Sequence, residues 1–114
     1  MADTVKILGQ SNPSAATATT LYQAPASTSV VVSSIVVANR SNVATTFRIS
    51  FTPAGGTDDQ NQQFTHYDVG IPGNETYVFT VGATLESAAA NMAKIRVYAT
   101  LATLSFTAFG VEIT

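Results

Sequence analysis

The chain offers few side chains that could perform catalysis or bind a metal, since it has one histidine, no cysteine and seven acidic residues. His66 lies two positions from Asp68 in a segment of alternating polarity, so the two could supply half of a metal site. A metal ion needs three or four protein ligands, and no spacing of residues in the sequence supplies the others. We therefore expect His66 to be a polar residue on the outer face of a strand, and we expect no metal or other cofactor.

Hydrolytic chemistry is also poorly supported by the residues present. A serine or threonine nucleophile needs an activating base, His66 is the one histidine, and no Gly-x-Ser-x-Gly turn occurs. Asp58 and Asp59 are adjacent in a Gly- and Pro-containing stretch that predicts a flexible, exposed tip, so their side chains should diverge and remain solvated. With Asn61 they only faintly resemble a calcium loop, because the spacing of an EF-hand is absent. We predict that the protein is not an enzyme.

Aromatic side chains are the other groups that could bind a ligand, and they comprise four tyrosines and six phenylalanines. An exposed tyrosine can stack on a sugar, because it combines an apolar ring with a polar hydroxyl. The absence of tryptophan weakens a carbohydrate-binding interpretation. Tyr22, Tyr98 and Phe64 are predicted to be exposed. The aromatic residues predicted to face the core are Phe47, Phe51, Tyr67, Phe79, Phe106 and Phe109.

The element that organises these side chains is predicted to be a hairpin at Val30–Phe51. Val30–Val37 is a β-branched run of the kind found in central strands. Residues 46–51 alternate between apolar and polar side chains, as in a strand with one buried face. Asn39–Asn42 is a turn cluster between them. Two such strands need a second sheet to cover their apolar face.

Six further strands are predicted, at 5–8, 21–24, 62–71, 77–81, 95–99 and 104–113. One short helical turn is expected near 84–93, and Ile71–Asn74 should form a type II turn with Gly73 at its third position. In the last strand the apolar parity changes near Ala108–Phe109. A β-bulge at this point would return both sets of apolar side chains to one face.

Eight short, regularly spaced strands joined by turn residues predict an all-β protein. The expected fold is a single antiparallel β-sandwich over 1–114, either jelly-roll-like or of another Greek-key order. The small, polar 10–20 segment is predicted to be a loop or an N-terminal arm.

The low charge of the chain indicates assembly. Charged residues make up 11% of the sequence, against about 25% in typical domains. Threonine and alanine each occur 17 times, so much of the surface should be hydroxyl and methyl groups, which are cheap to desolvate when two copies meet. The net charge is −2 and the pI is near 5.0, so the chain lacks the excess of positive charge that binds nucleic acid or an anionic membrane. We expect neither as a partner.

Segments along most of the chain resemble small virion structural proteins of tailed bacteriophages. These segments are ILGQSNP (7–13), TTLYQAP (19–25), VVVSSIVVANRS (30–41), TTFRIS (45–50), YDVGIPGNETYVFTVGATL (67–85) and VYATLATLSFTAFGVEIT (97–114). The resemblance implies a β-sandwich on the virion, with the role of a capsid cement or decoration protein on the capsid surface. It implies no catalytic residues.

Two roles in the virion remain open at this point. In the first, the protein is a homo-oligomer, a trimer, that contacts the major capsid protein where capsomers meet. In the second, it is a tail or baseplate module that binds a host glycan, through residues such as Tyr98, or an adjoining tail protein. The predicted interface residues are Ser11, Asn12, Pro13, Thr17, Thr19, Tyr22, Tyr98, Phe109 and Ile113.

Overall fold

The computed structural model describes residues 3–88 and 92–114, in which eight strands and one 3-10 turn occur. The strands are β1 (Asp3–Ser11), β2 (Thr19–Gln23), β3 (Ser29–Asn39), β4 (Thr45–Thr52), β5 (Phe64–Ile71), β6 (Thr76–Leu85), β7 (Lys94–Ala99) and β8 (Leu104–Ile113). Each of the eight predicted strands is confirmed, and most are longer than their apolar pattern indicates. The 3-10 turn is Asn61–Gln63.

The strands form two four-stranded sheets. The first sheet has the order β1-β8-β3-β6 and the second has the order β2-β7-β4-β5. β1 pairs with β8, β2 with β7, β3 with β6 and β4 with β5, and every pair is antiparallel. The chain is therefore a long hairpin that has been folded over into two layers. This is the jelly-roll order, one of the two predicted alternatives.

The predicted hairpin at Val30–Phe51 is wrong in its pairing. β3 lies in the first sheet and β4 in the second, so the two strands face each other across the core. Ile35 and Val37 of β3 and Phe47 and Ile49 of β4 are fully buried. The turn between the strands is confirmed, because the Asn39 amide donates to the carbonyl oxygens of Val43 at 2.9 Å and Pro72 at 3.2 Å. Two strands that share an apolar core show the same alternation of apolar residues whether they pair within one sheet or face each other from two sheets.

Aromatic rings fill the centre of the sandwich. The Phe47 ring of the second sheet lies 6.1 Å from Phe106 and 5.9 Å from Phe79 of the first sheet, measured between ring centres. Tyr77 packs against the same cluster. Burying such a side chain stabilises the fold by about 1.5–3 kcal/mol, so this cluster is a main source of cohesion between the sheets.

The predicted bulge in the last strand is wrong, although the ladder is irregular at that point. The extra residues lie in both neighbours, at Leu8 of β1 and Ser33 of β3, opposite Phe109. β8 itself alternates without interruption, so Phe109, Val111 and Ile113 lie on the outer face and are partly exposed. The interior positions of this half of β8 are Gly110 and Glu112.

Two turn predictions also need correction. Residues 84–88 and 92–93 contain no helix, since β6 continues to Leu85, and 89–91 lie outside the described residues. In the 72–74 turn the left-handed residue is Asn74, with φ 59°, and not Gly73, which excludes a type II turn. Gly73 is needed for close approach, because a Cβ there would lie 2.3 Å from the Asn42 carbonyl oxygen. Across the described residues, no helix is long and apolar enough to cross a membrane.

The 10–20 segment is divided between two strands and a loop. Gln10 and Ser11 end β1, and Thr19 begins β2. In the loop between them the Asn12 amide donates to the carbonyl oxygens of Ala102 and Leu104, at 3.1 and 3.0 Å. Pro13 is buried. The start of this loop therefore packs against the turn that connects β7 and β8.

Candidate functional site: a groove on the second sheet and an apolar face on the first

Large polar and aromatic side chains project from the outer face of the second sheet. Arg48 of β4 lies opposite Tyr98 of β7, and the next outward residue, Ser50, lies opposite Arg96. On its other side β4 pairs with β5, which contains a bulge. Phe47 pairs with Val69, and the next pair along the ladder is Ile49 with His66. Two residues of β5, Tyr67 and Asp68, therefore lie opposite Arg48.

Arg48 is held between two aromatic rings and a carboxylate. Its guanidinium carbon lies 4.2 Å from the centre of the Tyr67 ring and 4.5 Å from that of Tyr98. Nε donates to Asp68 Oδ1 at 2.7 Å and Nη2 to Oδ2 at 3.3 Å. This hydrogen bonding raises the pKa of Arg48. Asp68 adopts the left-handed conformation, with φ 51°, which is strained for a residue with a side chain.

A second arginine is fixed in the same way. Arg96 Nε and Nη2 donate to the Asp59 carboxylate at 3.3 and 2.9 Å, and Nη1 donates to Thr20 Oγ1 at 2.9 Å. Asp59 also has a positive φ, 62°. Lys94 donates to both oxygens of Asp58, and this hydrogen bond lowers the pKa of Asp58. Both acids therefore point toward cations on one face of β7, and Arg96 Nε also lies 3.9 Å from Asp58 Oδ2. The prediction that they diverge and remain solvated on a free tip is wrong.

A groove of about 270 Å³ lies between these two arginine clusters. Its floor includes Ser50, which is only 1% exposed and is a small side chain between larger neighbours. The residues that line the groove are Ala18, Arg48, Ser50, Asp59, Asn61, Phe64, Tyr67, Arg96, Val97 and Tyr98. Because each arginine already has a carboxylate partner, the groove combines hydrogen-bonding groups with almost no net charge.

The sequence identified only part of this groove. Tyr98 and Phe64 line it, and both are partly exposed. Tyr67 was predicted to lie in the core but is 58% exposed, because the bulge at Asp68 turns it outward. Arg48 and Arg96 were not predicted as site residues, since a single arginine on an alternating strand is usually just a solvated charge.

Tyr22, predicted to be an exposed interface residue, is buried. Its hydroxyl donates to Glu112 Oε2 at 2.5 Å, so it satisfies the carboxylate that β8 directs between the sheets. Burial raises the pKa of the Tyr22 hydroxyl, and the hydrogen bond to Glu112 raises it further. Lys6 Nζ lies 3.4 Å from the other carboxylate oxygen of Glu112. Tyr22 therefore has a structural role in the monomer.

His66 faces the interior, so the prediction of an outward position is wrong. Its ring centre lies 4.2 Å from that of Phe79, and Nδ1 is 2.9 Å from Thr65 Oγ1. Burial lowers the pKa of His66. Asp68 is on the opposite face of the sheet, where it binds Arg48. Among the described residues, no group of three or more His, Asp or Glu side chains is placed to hold a metal ion.

The outer face of the first sheet is apolar. Val5 is 82% exposed and Val78 is 64% exposed. In the ladder Val5 lies beside Val111 and Val111 beside Val31, while Ile7 lies beside Phe109. We call this surface the apolar face; its residues are Val5, Ile7, Val31, Val36, Val78, Phe109, Val111 and Ile113.

The predicted interface residues do not form one surface. Phe109 and Ile113 lie on the apolar face, and Tyr98 lies in the groove on the opposite sheet. Ser11, Asn12, Pro13, Thr17 and Thr19 lie in or beside the loop between β1 and β2.

No known protein family and no curated protein matches the sequence. Two solved structures from a virus have a similar fold. A chain of the T13 IBDV viral particle has a TM-score of 0.55 and 13% identity, over 96% of this chain and 30% of that chain. A chain of the infectious bursal disease virus Gx strain has a TM-score of 0.50 and 13% identity, over 97% of this chain and 31% of that chain. This chain thus spans about a third of the length of these neighbours.

At this level of identity the similarity is one of fold. The neighbours are chains of virus particles and not of tailed bacteriophages specifically, so the bacteriophage assignment stays a prediction.

Proposed function

We propose that the protein is a structural component of a virus particle, and that it acts as a capsid cement protein of a tailed bacteriophage. In this role it lies on the capsid surface and bridges neighbouring capsomers. The observation that carries the proposal is the apolar face of the first sheet. The similarity of fold to chains of virus particles supports it, as does the resemblance of the sequence segments to phage virion proteins.

The apolar face is the surface that gains most from being covered. Val5, Ile7 and Val78 are each more than half exposed, and burying apolar area contributes about 25 cal/mol per Å². Few ions must be stripped of water when this face meets a partner, because only 11% of the residues are charged. Binding to the closed shell, but not to free subunits, then stabilises the shell by mass action.

The partners in this proposal are further copies of the chain, as a trimer, and the major capsid protein. β8 supplies Phe109, Val111 and Ile113 to the contact, together with β1. We also propose that the protein has no catalytic activity. Support for this comes from His66, the chain's one histidine, whose ring packs against Phe79 and faces away from Asp68.

Occupancy of the particle tests the proposal. Val5→Thr, Ile7→Thr and Val78→Thr together should reduce the number of copies per particle at least tenfold, because threonine keeps the strands but removes apolar area. Val43→Thr is the matched control, since Val43 is also exposed but lies in the turn between β3 and β4. Occupancy is measured by quantitative mass spectrometry of purified particles.

Imaging of the same particles separates the two virion roles. Density for the chain at the joints between capsomers is the expected result. Density confined to the tail or baseplate would instead support the alternative module, which binds a host glycan or an adjoining tail protein. Unchanged occupancy in the triple variant would overturn the role of the apolar face.

A further inference from the structure

We propose that the groove on the second sheet binds a neutral carbohydrate, with a pyranose ring seated over Ser50 between the two arginine clusters and beside the side chains of Tyr67 and Tyr98. This function lies on the sheet opposite the apolar face, so it does not depend on the capsid role. The groove and the apolar face would then allow the protein to be anchored on one side and to bind sugar on the other.

Paired hydrogen bonds hold the charged side chains around the groove before any ligand arrives. Asp59 and Asp68 both adopt positive φ values, and each binds one arginine through two hydrogen bonds. Backbone strain of this kind persists only where the surroundings enforce it. Fixed side chains lose little entropy when a ligand binds, which favours binding of a small, weakly interacting molecule.

Its electrostatics favour a neutral ligand. The Arg48 charge is balanced by Asp68 and the Arg96 charge by Asp59. An anionic ligand, such as a phosphate or a nucleotide, would have to displace a carboxylate from an existing ion pair. A sugar hydroxyl can instead donate to a free lone pair of Asp59, which lines the groove, without breaking its pair with Arg96.

The remaining lining matches the two chemical sides of a sugar ring. The Tyr67 side chain is 58% exposed, although the Arg48 guanidinium covers part of its ring. Phe64 packs edge-on against Tyr67 with ring centres 5.1 Å apart. Asn61 and Ser50 add an amide and a hydroxyl. Ligand pockets usually measure about 300–1,000 Å³. A groove of about 270 Å³ lies just below this range, so it suits a single ring and not a long oligosaccharide.

Binding of the purified full chain to a glycan array, followed by titration calorimetry with each hit, tests this proposal. We expect a neutral hexose-containing glycan to bind. Tyr67→Ala should weaken binding at least tenfold, whereas Tyr67→Phe should weaken it no more than about threefold. Thermal melting shows that the variants are folded, which the exposure of Tyr67 favours.

A blocking variant provides a second, independent readout. Ala18 lines the groove and is exposed, so Ala18→Phe should occlude the groove and abolish binding. Ala15→Phe is the matched control, because Ala15 is exposed in the same loop but does not line the groove. Both variants should keep normal particle occupancy, which separates this proposal from the capsid role.

Three outcomes would overturn the proposal. They are an array with no hit, selective binding of acidic glycans, and binding that survives Ala18→Phe. Loss of particle occupancy in Tyr67→Ala and Ala18→Phe, without any glycan hit, would show that the groove contacts a virion protein instead.

Discussion

His66 illustrates how one misassigned face changes the chemistry expected of a residue. On the outer face of the sheet, His66 would have a pKa near the ordinary value for histidine and would lie close to Asp68. In the structure its ring packs against Phe79 and Phe47, and burial lowers its pKa. The neutral form is therefore the one that fits the fold, and protonation of His66 is coupled to stability.

Stability should consequently decrease when the pH falls below about 6.5, the ordinary pKa of histidine. Below that pH the unfolded chain takes up a proton that folded His66 binds less readily, so the free energy of unfolding decreases until the lowered pKa is reached. The urea midpoint at pH 7.5 and at pH 5.5 measures this effect. His66→Phe should remove most of the difference, because phenylalanine keeps the packing against Phe79 and does not titrate. If the urea midpoint of His66→Phe falls between pH 7.5 and pH 5.5 by as much as that of the unmodified protein, another group is responsible.

At the scale of elements, the pairing of β8 with both neighbours depends on a glycine. A Cβ on Gly110 would lie 2.1 Å from the Val31 carbonyl oxygen and 2.9 Å from Leu8 Cδ1. The first of these is a backbone atom that cannot rotate away, so the bulge at Leu8 and the approach of β3 both require glycine here.

Gly110→Ala should therefore destabilise the protein by about 1–3 kcal/mol, the usual cost of overpacking. Gly70→Ala is the control: Gly70 is also in a strand, but nothing lies within 4 Å of the added Cβ. We expect its free energy of unfolding to change by less than about 0.5 kcal/mol. Urea denaturation measures both variants, and equal effects would contradict this account of β8.

The alternation of apolar and polar residues correctly predicted where the strands occur. It did not always predict which face of the sheet a side chain lies on. Each failure of parity lies at a bulge. Tyr67 turns outward because Asp68 is an extra residue in β5. Phe109 faces outward because the extra residues are Leu8 and Ser33, in the strands beside β8 and not in β8 itself. A bulge is a property of two paired strands, so the sequence of one strand cannot locate it before the pairing is known.

The same limit applies to the pairing and to the groove. β3 and β4 are joined by a short turn that is typical of a hairpin, yet they belong to different sheets. The groove brings together Arg48, Tyr67 and Tyr98, which are separated in sequence and meet only because β4 lies between β5 and β7. Composition predicted a surface suited to assembly, but only the fold shows that its apolar residues are concentrated on one sheet.

At the scale of the whole molecule, the two sheets present opposite kinds of surface. The arginines of the second sheet are paired with acids on its outer face, whereas the outer face of the first sheet carries exposed valine and isoleucine. Association through the apolar face should therefore respond to salt in the opposite sense to association through ion pairs. Sodium chloride screens charges, and sulfate strengthens apolar burial.

We expect the purified chain to form oligomers whose dissociation constant is unchanged by sodium chloride and decreases in ammonium sulfate. Ile7→Lys should make the protein monomeric, because a lysine on the β1 edge places a charge in the contact. Val43→Lys adds the same charge outside the apolar face and should leave the oligomer intact. Analytical ultracentrifugation at several concentrations measures each case. Dissociation by sodium chloride, or an equal effect of both lysines, would mean that the copies associate through a different surface and that the apolar face is not the contact between them.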